Sequence, residues 1–277
     1  DETWEQDFAA NTNPIRLQNP LASHMSVMRS TLIGGLIKTL QHNLNYKQSR
    51  VRLFEIARVF KKAEDGAFVQ NERVGGLAYG HAVPEQWGEV TRLVDFFDVK
   101  GDLERLFAPA RLTFEAFAHP AAHPGRYAKV FLNGQEIGWL GQMHPRLQQT
   151  HDLPRAPILF ELDAQAVFAR QLPVAQAVSK QQVVTRDLAI IVKRDILAQQ
   201  IQELIFNLRQ SSAECAIIQS VELFDVYQGE RVAPDEKSMA YRVRLQDMNS
   251  TLQDAQIEQV MAQILEPLQS QLGARLR

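Results

Sequence analysis

The sequence predicts an α+β protein built from two domains. Its 277 residues exceed what one small domain needs, and an apolar content of 45% is ordinary for a globular chain with a sizeable core. Strand and helix periodicities alternate along the chain, and short turns join several strands in a way that favours antiparallel pairs. Residues 172–178 have little pattern and contain a proline, so we expect a linker there, between domains at 1–171 and 179–277.

The first half is expected to form an antiparallel sheet with helices. A stripe of leucines at four-residue spacing predicts a helix over residues 26–43. A second amphipathic stretch, 95–107, begins with Asp95 and Asp98, whose carboxylates suit the positive end of a helix dipole. Apolar runs predict further strands at 51–61, 73–80 and 158–163.

The clearest hairpin of the chain is centred on Asn133 and Gly134. Alternating residues flank this pair at 126–132 and 135–140. Asn-Gly readily adopts the two positive φ angles of a type I′ turn, which joins antiparallel strands. We therefore predict two neighbouring strands of the first sheet here.

The second half predicts a ferredoxin-like βαββαβ domain, with both helices on one face of the sheet and the other face open to a ligand. Asp195 is the expected cap of the first helix. Thr251 and Asp254 are expected to form a capping box for the second, and Pro267 is expected to kink it. The predicted elements are strand 187–192, helix 197–211, strands 217–227 and 238–246, helix 254–270 and a last short strand near the end.

A candidate binding site lies where the two central strands of that domain meet a polar loop. Asp225, Tyr227 and Ser238 are expected at one end of the strand pair. A ring that stacks, with a carboxylate and a hydroxyl that reach an edge, suits a flat polar ligand such as a nucleobase. In the simpler alternative, Tyr227 packs at a sheet edge and Asp225 caps the loop.

Composition restricts the other classes of function. The net charge is −2 and the pI is near 6.4, so no overall basic field points to nucleic acid. The one cysteine, Cys215, excludes an internal disulfide, fits a reducing cytoplasm and is expected to be buried. No apolar run is long enough for a membrane span, and the chain reads as part of a longer polypeptide.

No self-contained active site is expected. His119 and His123 have a metal-ligand spacing, but a proline follows each, so we expect packing roles and no metal site. The chain lacks a Gly-x-Ser-x-Gly elbow and the two glycine-rich phosphate loops. We accordingly assign no catalytic residue.

Motifs in both halves resemble the bacterial phenylalanyl-tRNA synthetase beta subunit. The second half is similar to its C-terminal ferredoxin-fold anticodon-binding domain, through Ser179-Lys180, residues 186–189, residues 223–229, Lys237-Ser238 and Thr251-Leu252. The first half is similar to its catalytic-like module, through residues 19–21, 25–29, 53–60, 95–101, 123–126, 138–141 and 144–145. These motifs cover nearly the whole chain in the order of the family.

The resemblance implies a fragment of a cytoplasmic ligase subunit. It implies a class II synthetase-like fold without activity in the first domain, which builds an interface with the alpha subunit in a heterotetramer of two alpha and two beta chains. The alpha subunit performs aminoacylation with ATP and magnesium, and no cofactor is expected on this chain. Arg52 and Glu55 only faintly resemble the strand that holds ATP in active relatives.

The resemblance also implies that Asp225, Tyr227 and Ser238 contact the anticodon of phenylalanine tRNA. Their chemistry suits guanine at the first anticodon position, since a carboxylate accepts from its N–H and amino donors and a tyrosine stacks on its face. Phosphates are expected at four cations: Arg186, Lys237, Arg242 and Arg244. Gln181-Gln182 departs from the aromatic and proline that the family often has there.

Two other functions stay open. The second hypothesis is a non-catalytic interaction scaffold with negligible RNA affinity, whose partner surface is the helix at 26–43 and the strand at 53–60. Residual ATP-dependent activity in the first domain is the third hypothesis, and saturable binding of ATP would support it.

Overall fold

A computed structural model describes residues 2–9, 11–169, 174–175 and 177–277. The chain divides into two compact units, Asp1–Pro173 and Val174–Arg277. The predicted linker, 172–178, spans this division, and its residues 172, 173 and 176 lie outside the described residues.

The first unit contains one antiparallel sheet. Among the described residues its strands are β1 (Val51–Lys62), β2 (Phe68–Tyr79), β3 (Leu112–Ala116), β4 (Ala122–Leu132), β5 (Gln135–Met143) and β6 (Ile158–Asp163). Their spatial order is β1-β2-β6-β5-β4-β3. The helices are α1 (Glu2–Ala9), α2 (Ile33–Asn45), α3 (Phe96–Phe107), α4 (Pro145–Thr150) and α5 (Ala164–Phe168).

Helices cover both faces of this sheet. Ile37 and Leu40 of α2 share one core cluster with Leu77 of β2. Leu103 of α3 shares a second cluster with Ala78, the next residue of that strand. Because successive side chains of a strand point to opposite faces, α2 and α3 lie on opposite sides of the sheet.

Most sequence predictions for this unit are confirmed. The predicted hairpin is β4–β5, and Asn133 and Gly134 have φ angles of 51° and 78°. Asp95 caps α3 by accepting from the backbone N–H groups of Phe97 and Asp98. The predicted start of the first long helix is wrong, because α2 begins only at Ile33.

An extended segment replaces the first turns of that helix. Val27 forms an isolated antiparallel bridge with Arg16. The N–H of Met28 donates to the carbonyl of Ile15 at 2.8 Å. These pairings use backbone groups that a helix would need, so apolar spacing alone extended the prediction too far.

A buried carboxylate anchors the beginning of α2 to the sheet. Glu161 of β6 accepts from the hydroxyl of Thr31 and, at 3.1 Å, from the N–H of Leu32. Burial raises the pKa of Glu161 above its ordinary value, while these two hydrogen bonds lower it by less. The folded unit therefore binds a proton here more tightly than the unfolded chain does.

We expect the substitution Glu161→Gln to remove a pH dependence of stability. As the pH rises above 4.5, the ordinary value for this carboxyl, the unfolded chain loses its proton first, so wild-type stability falls until the folded group also ionises. The stability advantage of wild type over the variant should shrink by about 1.4 kcal/mol per pH unit in that window. Urea titrations followed by tryptophan fluorescence suit this unit, since Trp4, Trp87 and Trp139 all lie in it. A difference in the free energy of unfolding between wild type and variant that stays constant from pH 4.5 to pH 8 would contradict the expectation.

The second unit has the predicted βαββαβ order. Its elements are β7 (Val184–Lys193), α6 (Ala198–Ser211), β8 (Ile218–Tyr227), β9 (Glu236–Leu245), α7 (Asp254–Leu272) and β10 (Arg275–Leu276). The strands lie in the antiparallel order β10-β7-β9-β8. Both long helices pack on one sheet face, in a core that includes Ile201, Ile257, Ile190 and Tyr241. Cys215 is buried in this core, as predicted.

Two predicted helix caps in this unit are wrong. Leu197 occupies the cap position of α6 instead of Asp195, and its N–H donates to the side chain of Gln200. Gln253 occupies that of α7 instead of Thr251, and Gln256 accepts from its N–H at 2.9 Å. In both cases the glutamine at the third helical position accepts from the backbone N–H of the cap residue, so each helix begins two residues later than the predicted cap. The helix α7 continues through Pro267 to Leu272, and Gly273, with a φ of 61°, caps its end.

Candidate nucleic-acid interface

The candidate site lies on the face of the second sheet opposite α6 and α7, which we call the open face. The side chains of β9 alternate cleanly, and Met239, Tyr241, Val243 and Leu245 are buried beneath the helices. Because side chains alternate along a strand, Ser238, Ala240, Arg242 and Arg244 point to the open face. The register across the sheet then identifies the neighbours of each of these four residues.

A β-bulge brings the acid and the phenol to this face. Leu223 pairs with Tyr241 and packs in the core, whereas Asp225 pairs with Ala240 and Tyr227 pairs with Ser238. The register shifts between Leu223 and Asp225. One extra residue in the strand therefore reverses the alternation. The strict period-two pattern expected from the sequence would have placed Leu223 and Tyr227 on the same face.

Tyr227 and Ser238 are direct neighbours, and Arg277 contacts both. The guanidinium of Arg277 lies 5.2 Å from the ring centroid of Tyr227. One of its nitrogens donates to the hydroxyl of Ser238 at 3.5 Å, a long hydrogen bond. Ser238 is only 2% exposed, so its hydroxyl is covered in the free chain, with Tyr227 and Arg277 beside it.

Asp225 is exposed at the rim of the sheet. In the part of the chain that the structure describes, its carboxylate forms no ion pair and no side-chain hydrogen bond. Gly229 follows closely and lies against Tyr227, since a Cβ there would come within 2.5 Å of the phenol oxygen. The loop after β8 thus supports the ring from one side and leaves the carboxylate accessible to a partner.

The two arginines of β9 already have acidic partners. Arg242 forms two hydrogen bonds of 2.9 Å with Asp187 on β7, and these lower the pKa of that carboxyl. Its guanidinium also lies 4.9 Å from the ring centroid of Phe224. Arg244 lies 3.6 Å from Glu222. Neither arginine offers an uncompensated positive charge to RNA.

The other two predicted phosphate contacts lie apart from this cluster. Arg186 pairs with Val243, a core position, so its side chain leaves the sheet on the helix-covered face, and it lies 3.9 Å from Asp254. Lys237 pairs with Val192, which is also buried in the core. Its ammonium donates to the carbonyl of Arg194 at 3.0 Å, and burial lowers its pKa. Of the seven predicted site residues, the open face therefore brings together five.

Sequence reasoning missed Arg277 and Phe224 as members of this surface. Arg275 pairs with Ile191, and the N–H of Arg277 donates to the carbonyl of Ala189, so both arginines extend onto the open face. The alternation Arg275-Leu276-Arg277 in the predicted last strand is the signal that could have found them. Phe224 is 51% exposed at the bulge, which no sequence pattern indicated.

Features of the first unit bear on the weaker resemblance to an ATP-binding strand. Arg52 donates to the carbonyls of Tyr79 and His81 at 2.7 and 2.8 Å. Glu55 is ion-paired with Arg29 at 2.7 Å. Both groups are thus occupied by other parts of the chain.

His119 has the packing role that was expected for it. His119 stacks on the rings of Tyr127 and Trp139, with centroids 5.5 and 6.3 Å away. Across the described residues, no group of three or more histidine, cysteine, aspartate or glutamate side chains is arranged to hold a metal ion.

Within the same residues, every helix is too short or too polar to cross a membrane.

Comparison with protein-family models identifies both units. Residues 179–277 match the ferredoxin-fold anticodon binding domain, which defines the class of the second unit. Residues 1–164 match the phenylalanyl tRNA synthetase beta chain CLM domain. The chain therefore belongs to the phenylalanyl-tRNA synthetase beta chain family, and the resemblance read from its motifs is confirmed.

Individual relatives agree with this assignment. The phenylalanine–tRNA ligase beta subunits of Burkholderia lata and Neisseria gonorrhoeae are each 49% identical to the chain and align with all of it. They cover it with 36% and 34% of their own lengths, so the chain spans about a third of these relatives. A solved pyrrolysyl tRNA synthetase from Desulfitobacterium hafniense aligns with 56% of this chain over 51% of its own length. The identity is 13% and the TM-score is 0.40, a likeness too weak to assign a fold.

Proposed function

We propose that this chain is the part of a phenylalanine–tRNA ligase beta subunit that recognises the tRNA anticodon and contacts the catalytic alpha subunit. One observation supports the recognition of the anticodon. In the unit that matches an anticodon-binding family, Asp225, Tyr227 and Ser238 share the sheet face that the helices leave open. An acid, a ring and a hydroxyl on one uncovered surface form the group of contacts that a single unstacked base requires.

Guanine at the first anticodon position suits these three groups best. The exposed carboxylate of Asp225 accepts from the N1–H and the amino group of guanine, which no other common base presents together. The ring of Tyr227 stacks on the base. The hydroxyl of Ser238 lies directly beside that ring in the register and donates to or accepts from the base edge.

Affinity in this proposal comes from local contacts more than from a general positive field. The chain has a net charge of −2, and Arg242 and Arg244 are balanced by Asp187 and Glu222. Few phosphates are neutralised in this arrangement, so the salt dependence of RNA binding should be shallow.

The first unit, in this proposal, is an inactive class II synthetase-like module that builds the interface of a heterotetramer of two alpha and two beta chains. Phe54 and Ile56 of β1 are exposed apolar side chains on the edge strand of the sheet, which supports a partner surface. ATP and magnesium act in the alpha subunit. The engagement of Arg52 with backbone carbonyls supports the absence of an ATP site on this strand.

The alternative, a scaffold with negligible RNA affinity, makes a different prediction in gel filtration. A scaffold co-elutes with the alpha subunit and does not shift with tRNA alone. The proposed anticodon-binding chain shifts with phenylalanine tRNA in the absence of the alpha subunit.

We expect Asp225→Asn to weaken binding of an anticodon stem-loop of phenylalanine tRNA by about 1–3 kcal/mol, roughly 5- to 150-fold. An amide offers one acceptor where the carboxylate offers two, and it adds a donor that faces the donors of guanine. Fluorescence anisotropy with labelled stem-loop measures the dissociation constant.

Glu258→Gln provides the matched control, because it removes one negative charge from an exposed position on α7, away from the open face. Loss of a negative charge by itself favours RNA binding, so a weakened Asp225→Asn variant cannot be explained by net charge. Equal affinities for wild type and Asp225→Asn would remove this carboxylate from the site.

A further inference from the structure

One cation on the open face differs from all the others in its partners. The register places five there, and four of them are ion-paired with carboxylates: Lys193, Arg242, Arg244 and Arg275. Within the described residues, Arg277 has no carboxylate partner. It is held only by the ring of Tyr227 and by a long hydrogen bond to Ser238.

The weakness of these contacts makes the guanidinium easy to displace. At 5.2 Å from the ring centroid, it lies near the outer limit of a cation–π contact. The backbone of Arg277 is fixed, since its N–H donates to the carbonyl of Ala189 at 3.1 Å. The side chain can therefore move over the sheet while its point of attachment stays in place.

A row of small side chains lies between Arg277 and Asp225 on the open face. In one row across the sheet, Arg277 lies beside Ala189, which pairs with Ala240, which pairs with Asp225. The backbones of Arg277 and Asp225 are three strand spacings apart, roughly 14 Å, and the Arg277 side chain reaches back over β9 to Ser238. Two alanines leave this row low, with Tyr227 and Ser238 along one side. A base that stacks on Tyr227 and contacts Ser238 must take the place that the guanidinium now holds.

A charged side chain without an ion-pair partner among the described residues thus lies at each end of this row, Asp225 at one end and Arg277 at the other. Asp225 offers acceptors at one end, and Arg277 offers a fork of donors at the other. Guanine is the base with a matching pair of edges, because N1–H and the amino group are donors while O6 and N7 are neighbouring acceptors. A guanidinium that donates to O6 and N7 is the commonest specific protein contact to guanine.

We propose that Arg277 is a specificity-determining residue of the base site, where it leaves the ring of Tyr227 when a guanine stacks there and donates to O6 and N7 of that guanine. This inference rests on the proposed function, because it adds a residue to the same site. In the free chain the guanidinium occupies the stacking position, and in the complex it reads the edge of the base that Asp225 does not reach.

The test compares two stem-loop RNAs that differ only in guanine or adenine at the first anticodon position. Adenine keeps N7 but presents an amino donor where guanine has O6, so a bidentate arginine contact is lost. Wild type, Arg277→Ala and Arg277→Gln of the 277-residue chain are titrated by fluorescence anisotropy at several salt concentrations. Arg209→Ala is the control, since it removes an exposed cation from α6 on the covered side of the sheet. Far-UV circular dichroism and thermal melting confirm that each variant is folded.

We expect both Arg277 variants to bind the guanine stem-loop 10- to 100-fold more weakly, with nearly unchanged affinity for the adenine stem-loop and an unchanged salt dependence. Equal weakening of both RNAs with a shallower salt dependence would identify a phosphate contact instead and overturn the proposal. Tighter binding of both RNAs would mean that the side chain only obstructs the site, which also overturns it, as does no change. If wild type itself binds neither RNA, the proposed function fails and this inference fails with it.

Discussion

Replacing Tyr227 by alanine is expected to weaken binding of phenylalanine tRNA by about 1–3 kcal/mol, roughly 5- to 150-fold. The ring is the only aromatic surface that register places beside Ser238 and in the same strand as Asp225, within the described residues. Alanine removes the stacking platform and also the ring on which Arg277 rests. Titration with the whole tRNA by anisotropy or calorimetry measures the effect.

Tyr227→Phe is the matched control for that experiment. It keeps the aromatic face and removes only the hydroxyl, so we expect it to retain most of the affinity. The side chain is half-buried on the open face and lies outside the helix-covered core, so neither variant should unfold the domain. If the alanine variant binds tRNA as tightly as wild type, stacking on this ring has no part in recognition.

Gly138→Ala is expected to lower the free energy of unfolding of the first unit by about 3–5 kcal/mol. Gly138 lies in β5, between Val130 of β4 and Leu162 of β6. A Cβ at this position would come within 2.1 Å of the carbonyl oxygen of Glu161 and 2.8 Å of the Cα of Leu162. These are backbone atoms of a central strand, so relief requires the sheet itself to move. Urea denaturation followed by tryptophan fluorescence measures the loss, since Trp139 is the adjacent residue.

Gly134→Ala measures the effect of a positive φ without crowding in the same hairpin, whereas Gly138 combines a positive φ of 151° with the steric contact. Gly134 has a φ of 78°, but no atom lies within 4 Å of a Cβ built there. Only the left-handed conformation then opposes alanine, at a cost of about 1–2 kcal/mol. Similar losses for the two variants would show that the contact with β6 relaxes easily and that our estimate for Gly138 is too large.

Most elements of the fold could be predicted because the hydrophobic periodicity of each helix or strand is visible in its own stretch of sequence. The hairpin at Asn133 and Gly134 needs only two positive φ angles, and the residue types supplied them. The second unit likewise follows from alternating strands and two amphipathic helices. The start of α2 could not be predicted in this way, because a bridge between Val27 and Arg16 takes residues whose apolar spacing also suits a helix.

The placement of the candidate site residues could not be predicted where it depended on strand register. Asp187 and Arg242 are 55 residues apart in sequence, and only strand pairing makes them an ion pair. Arg186 looked equivalent to Arg242 as a cation, yet its register position sends it to the helix-covered face. Charge and residue type identify candidates for RNA contact, whereas the pairing of strands determines which of them remain available.

The bulge between Leu223 and Asp225 makes the length of this strand as important as its composition. Exchange of one side chain on β8 alters one contact and leaves its neighbours in place. Loss of the extra residue at the bulge would leave a regular strand with Asp225 still opposite Ala240. Gain of a further residue ahead of Asp225 would instead invert the remainder of the strand and carry the acid and the phenol beneath the helices. This surface can therefore be diversified by substitution at constant strand length, whereas an insertion between the bulge and Tyr227 would remove its functional groups from the open face.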